Sequence, residues 1–212
     1  MTDEATFFKR AFQALRHDTR NLEGGLAVIK TYLLQQGDPA ADRYAQYLDD
    51  RMAAILALGR RAEALGQRQP ADIQDVSLRV IMDAALKELG AERAKVSAGR
   101  EDATLRADEG MAISALAELL KNAVEAGSQV DLTIVPQDDY IELHVSDNGS
   151  GVPELAEAHL FSPFKGARHP RGAGLGLPLA RAQMDVMAGS CFLIETGPDG
   201  STFALRFPLS KG

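Results

Sequence analysis

"RGAGLGLPLARAQMDVMAG", residues 171–189, decides how most of this 212-residue chain is read. Gly172, Gly174 and Gly176 run straight into a stretch with helical spacing, and Pro178 falls where the first turn of a helix accepts a proline. A glycine-rich loop ending at a helix N-terminus gathers free backbone N–H groups and the positive end of the helix dipole, which makes an anion site. The spacing is G-x-G-x-G after a loop, not the G-x-G-x-x-G after a strand that marks a dinucleotide fold. No G-x-x-x-x-G-K-[ST] is present, so a Walker-type phosphate loop is excluded.

Two further clusters lie upstream. In "ELLKNAVEA", residues 118–126, Glu118 and Asn122 are four apart and share a helix face, while Ile113, Leu116, Leu120 and Val124 point elsewhere. An amide oxygen is a hard ligand suited to Mg²⁺, which takes few protein ligands and completes its shell with water and phosphate. "SDNGSGVP", residues 146–153, follows a strand directly. Its glycines let the backbone turn sharply and approach a flat ligand, and Asp147 is placed to accept a hydrogen bond from an amine. Taken singly, these are a solvated helix face and a plain turn. Their order and spacing together carry the weight.

The surrounding sequence alternates helix and strand. "SLRVIMDAALKEL" (77–89) and "MAISALAELLKNAVEA" (111–126) have helical spacing. "DLTIV" (131–135) and "YIELHVSD" (140–147) alternate with period two around "PQDD", turning Leu132, Ile134, Ile141, Leu143 and Val145 one way. "CFLIET" (191–196) and "TFALRFPL" (202–209) form a second pair around "GPDG". This part is α+β, with a mixed or antiparallel sheet covered by helices.

The N-terminal part differs. Phe8, Phe12, Leu15, Thr19, Leu22, Leu26, Ile29 and Leu33 recur at alternating gaps of four and three, a heptad stripe broken in character only by Thr19. "QQGDPAAD" interrupts with Gly37 and Pro39, and a second stripe follows through Tyr44, Leu48, Met52, Ile55, Leu58, Ala62 and Leu65. Two long helices joined by a short turn make an antiparallel hairpin, and a dimer completing a four-helix bundle is the natural way to cover both stripes. The expected domains are 1–66 (hairpin), 67–75 (the polar linker around Pro70) and 76–212 (the α+β part).

Composition narrows the function. A net charge of -7 argues against general nucleic-acid or anionic-membrane binding. The single cysteine, Cys191, has no intrachain disulfide partner and reads as a small buried hydrophobe in a strand. No secretory pattern opens the chain, and no apolar run approaches the roughly 20 residues of a membrane span. The expectation is a soluble, cytoplasmic protein.

In order and spacing, the glycine-rich and polar clusters resemble the ATP-binding domain shared by sensor histidine kinases, Hsp90, type II topoisomerases and mismatch-repair ATPases. "ELLKNAVEA" is similar to its N box, "DNGSGVP" to its first glycine box, "LFSPFKG" to its phenylalanine box and "RGAGLGLPLAR" to its second glycine box, across residues 76–212. The resemblance implies an α/β-sandwich fold that binds ATP and Mg²⁺. It implies Asn122 as the Mg²⁺ ligand and Asp147 as the partner of the adenine amino group, with Gly149 and Gly151 shaping the base pocket. Gly172, Gly174, Leu175 and Gly176 would close over the phosphates, and 161–172, with Lys165, Arg168 and Arg171, would be a lid bringing cations to them.

Within that frame "LRHDTRN", residues 15–21, changes meaning. A helical histidine with no ligand partner is ordinarily just solvated. His17, two residues from both Leu15 and Thr19, points away from the seam, where a γ-phosphate can reach it. Neutral imidazole is a competent nucleophile near neutral pH, and Asp18 is placed to take its proton. The hairpin thus resembles the dimerisation and phosphotransfer domain of histidine kinases: His17, Asp18 and Asn21 match its H box, while Leu22 stands where the family's bend-permitting proline would follow. The implied protein is a homodimeric histidine kinase that autophosphorylates His17 and passes the phosphoryl group to an aspartate of a response-regulator receiver domain. Asn21 would orient water for any reverse phosphatase reaction. Only 16 residues precede His17, so the stimulus would come through a longer parent chain or a separate sensory protein.

Two alternatives stand beside this. One is a non-catalytic phosphotransferase or scaffold, which should have eroded glycine boxes. The other is a serine kinase or ATPase of the same superfamily, favoured by Glu118, an acid suited to activating a hydroxyl or water. His144, His159 and His169 form no pair with metal-ligand spacing and receive no role.

Overall fold

A computed structural model describes residues 24–35, 38–48, 71–89, 94–97, 102–162 and 174–210. The chain divides into two units, 1–68 and 69–212. In the first, residues 24–34 (α1) and 39–48 (α2) are helical. The start of α2 has a local cause: Asp38 Oδ1 accepts the Ala40 N–H at 2.9 Å, and Pro39 sits in the first helical position.

Within a single chain only part of each stripe is covered. On α1, Leu26 and Leu33 are half-buried but Ile29 is 49% exposed. On α2 the covered face runs through Ala41, Ala45 and Leu48, and Tyr44, expected in the stripe, is 66% exposed. Positions 41, 45 and 48 share one side of a helix by their four-and-three spacing, which puts Tyr44 at its flank. The rest of both stripes, together with His17, Asp18 and Asn21, lies outside the described residues.

The second unit runs β1 (Gln74–Ser77), α3 (Leu78–Leu89), β2 (Ala94–Ser97), β3 (Thr104–Ala107), α4 (Glu109–Ala126), β4 (Val130–Pro136), β5 (Tyr140–Asp147), α5 (Glu154–Glu157), α6 (Gly176–Val186), β6 (Ser190–Gly197) and β7 (Gly200–Pro208). Gln74 and Asp75, read as the end of the linker, lie in β1, which pairs antiparallel with β3. The main sheet has the order β2-β4-β5-β7-β6 and is mixed: β2 runs parallel to β4, and the other pairs are antiparallel.

One face of this sheet is covered. Leu132, Ile134, Ile141, Leu143 and Val145 turn the same way, as their alternation requires, and are at most 4% exposed. β7 adds Phe203, Leu205 and Phe207 to the same core. Helix α4 packs against β4, β5 and β7, α6 against β6 and β7, and α3 lies beside α4. Six residues of α4 are buried at helical spacing, Ala112, Ala115, Leu116, Leu119, Leu120 and Ala123. Burying each leucine there stabilises the unit by about 1.5–3 kcal/mol. The small alanines let α4 sit between its neighbours. Its start is fixed by Asp108, whose Oδ1 accepts the Met111 N–H at 3.0 Å.

The opposite sheet face is polar. Arg206 reaches Glu142 with two N–H groups, at 2.7 and 2.8 Å, and lies over the rings of Tyr140 and Phe192. Burial alone would raise the Glu142 pKa, but hydrogen bonds from His144 and Arg206 hold it below the ordinary carboxylate value. His144, outward on its strand as expected, is thus a partner of Glu142. Cys191 is 3% exposed in β6, and burial pushes its thiol pKa up to about 12. The thiolate that nucleophilic chemistry needs is therefore suppressed.

Candidate functional site

Two helices meet at the glycine-rich cluster. α4 carries Glu118 and Asn122, both half-buried and one turn apart. α6 begins against the first of these: a Cβ added to Gly176 would come within 2.7 Å of Glu118 Oε2. Farther along both helices, Gln183 Nε2 donates to Ser114 Oγ at 3.1 Å, so α4 and α6 run antiparallel and present the first turn of α6 to Glu118. Leu175, buried at the N-cap of α6, offers no side-chain acceptor for the turn that follows, and Gly174 before it takes φ +65°. Gly174, Leu175 and Gly176 thus lie at the N-terminus of α6, where backbone N–H groups have no helical partner.

The second part of the site is built at the end of β5. Asp147, its last residue, is buried, and its Oδ1 accepts the Gly149 N–H at 2.8 Å, closing the turn. Asn148 Oδ1 accepts the N–H groups of Ser128 and Gln129 at 2.8 and 2.9 Å, which ties the turn to the segment just beyond α4. Gly151 has φ +70°, and a Cβ there would run into the carbonyl of Gly197. Only glycine fits at that position. The Val152 N–H donates to Thr196 Oγ1 at 2.7 Å, and Thr196 Oγ1 lies 2.9 Å from Ser201 Oγ, directly across the sheet from Asp147. A carboxylate is thereby held at a buried address by a turn clamped on two sides.

Asn148, Thr196 and Ser201 support this turn and went unread in the sequence. For Asn148 the signal is its place between Asp147 and Gly149, since an Asn side chain commonly hydrogen-bonds turn backbone. Thr196 and Ser201 flank the hairpin turn "GPDG" and face Val152 only through tertiary pairing. Phe161, from the phenylalanine-rich cluster, is half-buried, packs on the core and lies 4.9 Å beneath the Arg181 guanidinium. Lys165, Arg168, Arg171 and Gly172 lie outside the described residues.

Glu118 and Asn122 offer one carboxylate and one amide on this face of α4. Among the described residues no group of three or more His, Cys, Asp or Glu side chains could hold a metal. A donor set this sparse fits Mg²⁺ only as an ion whose remaining ligands are water and phosphate. No helix among the described residues is long and apolar enough to cross a membrane.

Comparison with known proteins agrees with this geometry. Residues 107–211 match the family model described as histidine kinase-, DNA gyrase B-, and HSP90-like ATPase. The chain is 28% identical to the sensor protein DivL of Caulobacter vibrioides over 83% of its own length and 25% of DivL. It is 27% identical to the sensor-like histidine kinase SenX3 of Mycolicibacterium smegmatis over 97% of its own length and 58% of SenX3. It therefore spans only part of each of these relatives. Full-length ShkA, crystallised with AMPPNP, shares its fold with a TM-score of 0.71 at 20% identity, over 94% of this chain and 47% of that one. The Acinetobacter baumannii histidine kinase AdeS matches with a TM-score of 0.63 at 15% identity, over 88% of this chain and 96% of that one. By its glycine boxes, fold and relatives, residues 107–211 are a domain of the histidine kinase-, DNA gyrase B- and HSP90-like ATPase family, and the chain carries the ATP-binding core of a histidine kinase.

Proposed function

We propose that the chain is a histidine protein kinase of a two-component system, which phosphorylates His17 from Mg·ATP and passes the phosphoryl group to an aspartate of a response regulator. The observation that carries this reading is the junction of α4 and α6, where the Glu118 carboxylate on one helix abuts the first residue of the other, together with a strand that ends on a buried carboxylate. In this reading Asp147 accepts a hydrogen bond from the adenine amine, and Gly149 and Gly151 give the base its flat wall. The N–H groups at the start of α6 bind phosphate oxygens, and Lys165, Arg168 and Arg171 bring further positive charge. Bound with the nucleotide and held by Asn122, Mg²⁺ supplies neutralisation of charge on the transferring group.

In the transfer itself, a lone pair on the His17 ring attacks the γ-phosphorus, an N–P bond forms, and the bond to the ADP oxygen breaks. Asp18 takes the proton left on the ring's other nitrogen. ADP departs with the electron pair of the broken bond. Catalysis by the chain is mainly positioning. The dimer in this proposal is held by the seams of residues 8–33 and 44–65, and signals arrive through a separate sensory protein or a longer parent chain.

Glu118, an acid beside the α6 N-terminus, favours a second reading in which it activates water or a hydroxyl, as in an ATPase or serine kinase. His17, Asp18 and Asn21 in one H-box-like run favour the first. The glycine boxes are intact, which argues against a non-catalytic scaffold.

Nucleotide recognition is tested at Asp147. Replacing it with alanine removes the acceptor proposed for the adenine amine and weakens ATP binding by about 1.5–3 kcal/mol, the range for a hydrogen bond to a charged group. Discrimination against GTP falls with it, because guanine carries an oxygen where adenine carries the amine. Calorimetric titration with both nucleotides measures the two effects. Unchanged ATP affinity would reduce "SDNGSGVP" to a plain turn.

A further inference from the structure

We infer, building on the histidine-kinase reading above, that Asp108 is a positioning residue for phosphoryl transfer. One carboxylate caps the helix that carries the proposed Mg²⁺ ligand and also holds the end of the linker joining the two units. Its Oδ1 accepts the Met111 N–H at 3.0 Å and starts α4, while its Oδ2 accepts the Asp72 N–H at 3.0 Å. Strand register explains why the two residues meet. β1 and β3 pair antiparallel with Gln74 opposite Ala107, so the residues just before β1 run beside the residue just after β3. Ile73 packs against the core, and within β1 Asp75 Oδ1 accepts from Ser210 Oγ at 2.9 Å and from Arg106 Nη1 at 3.3 Å.

The polar segment 67–75 is thus fastened to the second unit from Asp72 onward. Only residues 69–71 lie between Asp72 and Arg68, the last residue of the first unit. The fastening point is the N-cap of α4, a helix buried along one face, with Glu118 and Asn122 farther along it. A close-packed helix moves as one piece, so the point where the linker leaves the second unit is fixed relative to the proposed phosphate site. In the proposed reaction His17, on the first unit, must meet a γ-phosphate held by the second. How often it does so depends on the effective concentration the linker sets, and each free backbone residue must be ordered before the atoms align. The Asp72–Asp108 hydrogen bond orders that stretch in advance. It touches no residue assigned to the nucleotide, so binding itself is indifferent to it.

Asp108→Asn separates the two duties. Its one amide oxygen still caps α4, since Asn and Asp are equally good N-caps, but its NH₂ group meets the Asp72 N–H with a second donor. Asp108→Ser also caps the helix and has no second oxygen to offer. Single-turnover labelling at saturating ATP, ATP titration and amide hydrogen exchange are measured on the full chain and on both variants. Both should lose protection at the Asp72 amide and keep it at Met111. ATP affinity should stay within about twofold while the labelling rate falls at least about threefold, the scale of one hydrogen bond's net contribution. A smaller fall, or a rise, with the Asp72 amide released overturns the inference. So does an Asp72 amide already unprotected in the wild type. Loss of ATP affinity or of Met111 protection in both variants overturns it too, because Asp108 would then be a helix cap and nothing more. Wild-type protein that binds ATP but takes no label defeats the histidine-kinase reading, and this inference falls with it.

Discussion

His17→Ala leaves the protein unlabelled after incubation with γ-labelled ATP and Mg²⁺, while ATP affinity stays within about twofold of wild type. The loss is complete because the reaction needs a nucleophile whose lone pair is free near neutral pH, and alanine offers none. Affinity survives because His17 belongs to the unit of residues 1–68, whereas every residue assigned to nucleotide binding belongs to residues 69–212. Among the other histidines, His144 cannot substitute readily, since its ring nitrogen lies 2.8 Å from Glu142 Oε2 on the polar sheet face. Gel autoradiography together with calorimetry separates the two quantities. Labelling that persists in the variant would move the acceptor elsewhere in the chain.

Asn122→Ala has the second large effect and fails in a different way. Removing the proposed Mg²⁺ ligand lowers the initial rate of phosphorylation by at least about 100-fold, the upper end of what is lost when only an outer-sphere partner of a metal is removed. Adenosine affinity should not change, because Asp147, Gly149 and Gly151 are clamped by Asn148, Thr196 and Ser201 with no contribution from Asn122. The fold should hold as well: Asn122 is half-buried on α4, and alanine is the better helix former. Single-turnover labelling and adenosine titration of the purified variant check both halves. Parallel loss of adenosine binding would recast Asn122 as a structural residue.

Much of the second unit was legible because its periodicities are clean. β5 begins and ends where the alternation in "YIELHVSD" begins and ends, and α6 starts at the last glycine of the cluster that announced it. β1, β2 and β3 were not read. Each is four residues long, β2 is the run "AKVS" with a single large apolar side chain, and its partner β4 lies more than thirty residues away. Such strands exist only because a neighbouring strand supplies the hydrogen bonds. Reading a stripe from large apolar side chains overlooks alanines, and on α2 the covered face begins with Ala41 and Ala45. At the site, the residues proposed to meet the nucleotide are marked by type and order. The clamp did not, because Thr196 and Ser201 meet the glycine turn only once the sheet has formed.

Formation of a phosphohistidine at His17 is tested by the acid and alkali stability of the labelled product. Protonation of a phosphorylated imidazole makes the ring a good leaving group, so its N–P bond breaks in acid and survives alkali, whereas a phosphoserine ester does the reverse. Wild-type protein incubated with γ-labelled ATP and Mg²⁺, denatured and split between acid and alkali, should lose its label in acid and keep it in alkali on the peptide that contains His17. A label that survives acid and is lost in alkali would contradict the account, as would the absence of any label from protein that binds ATP.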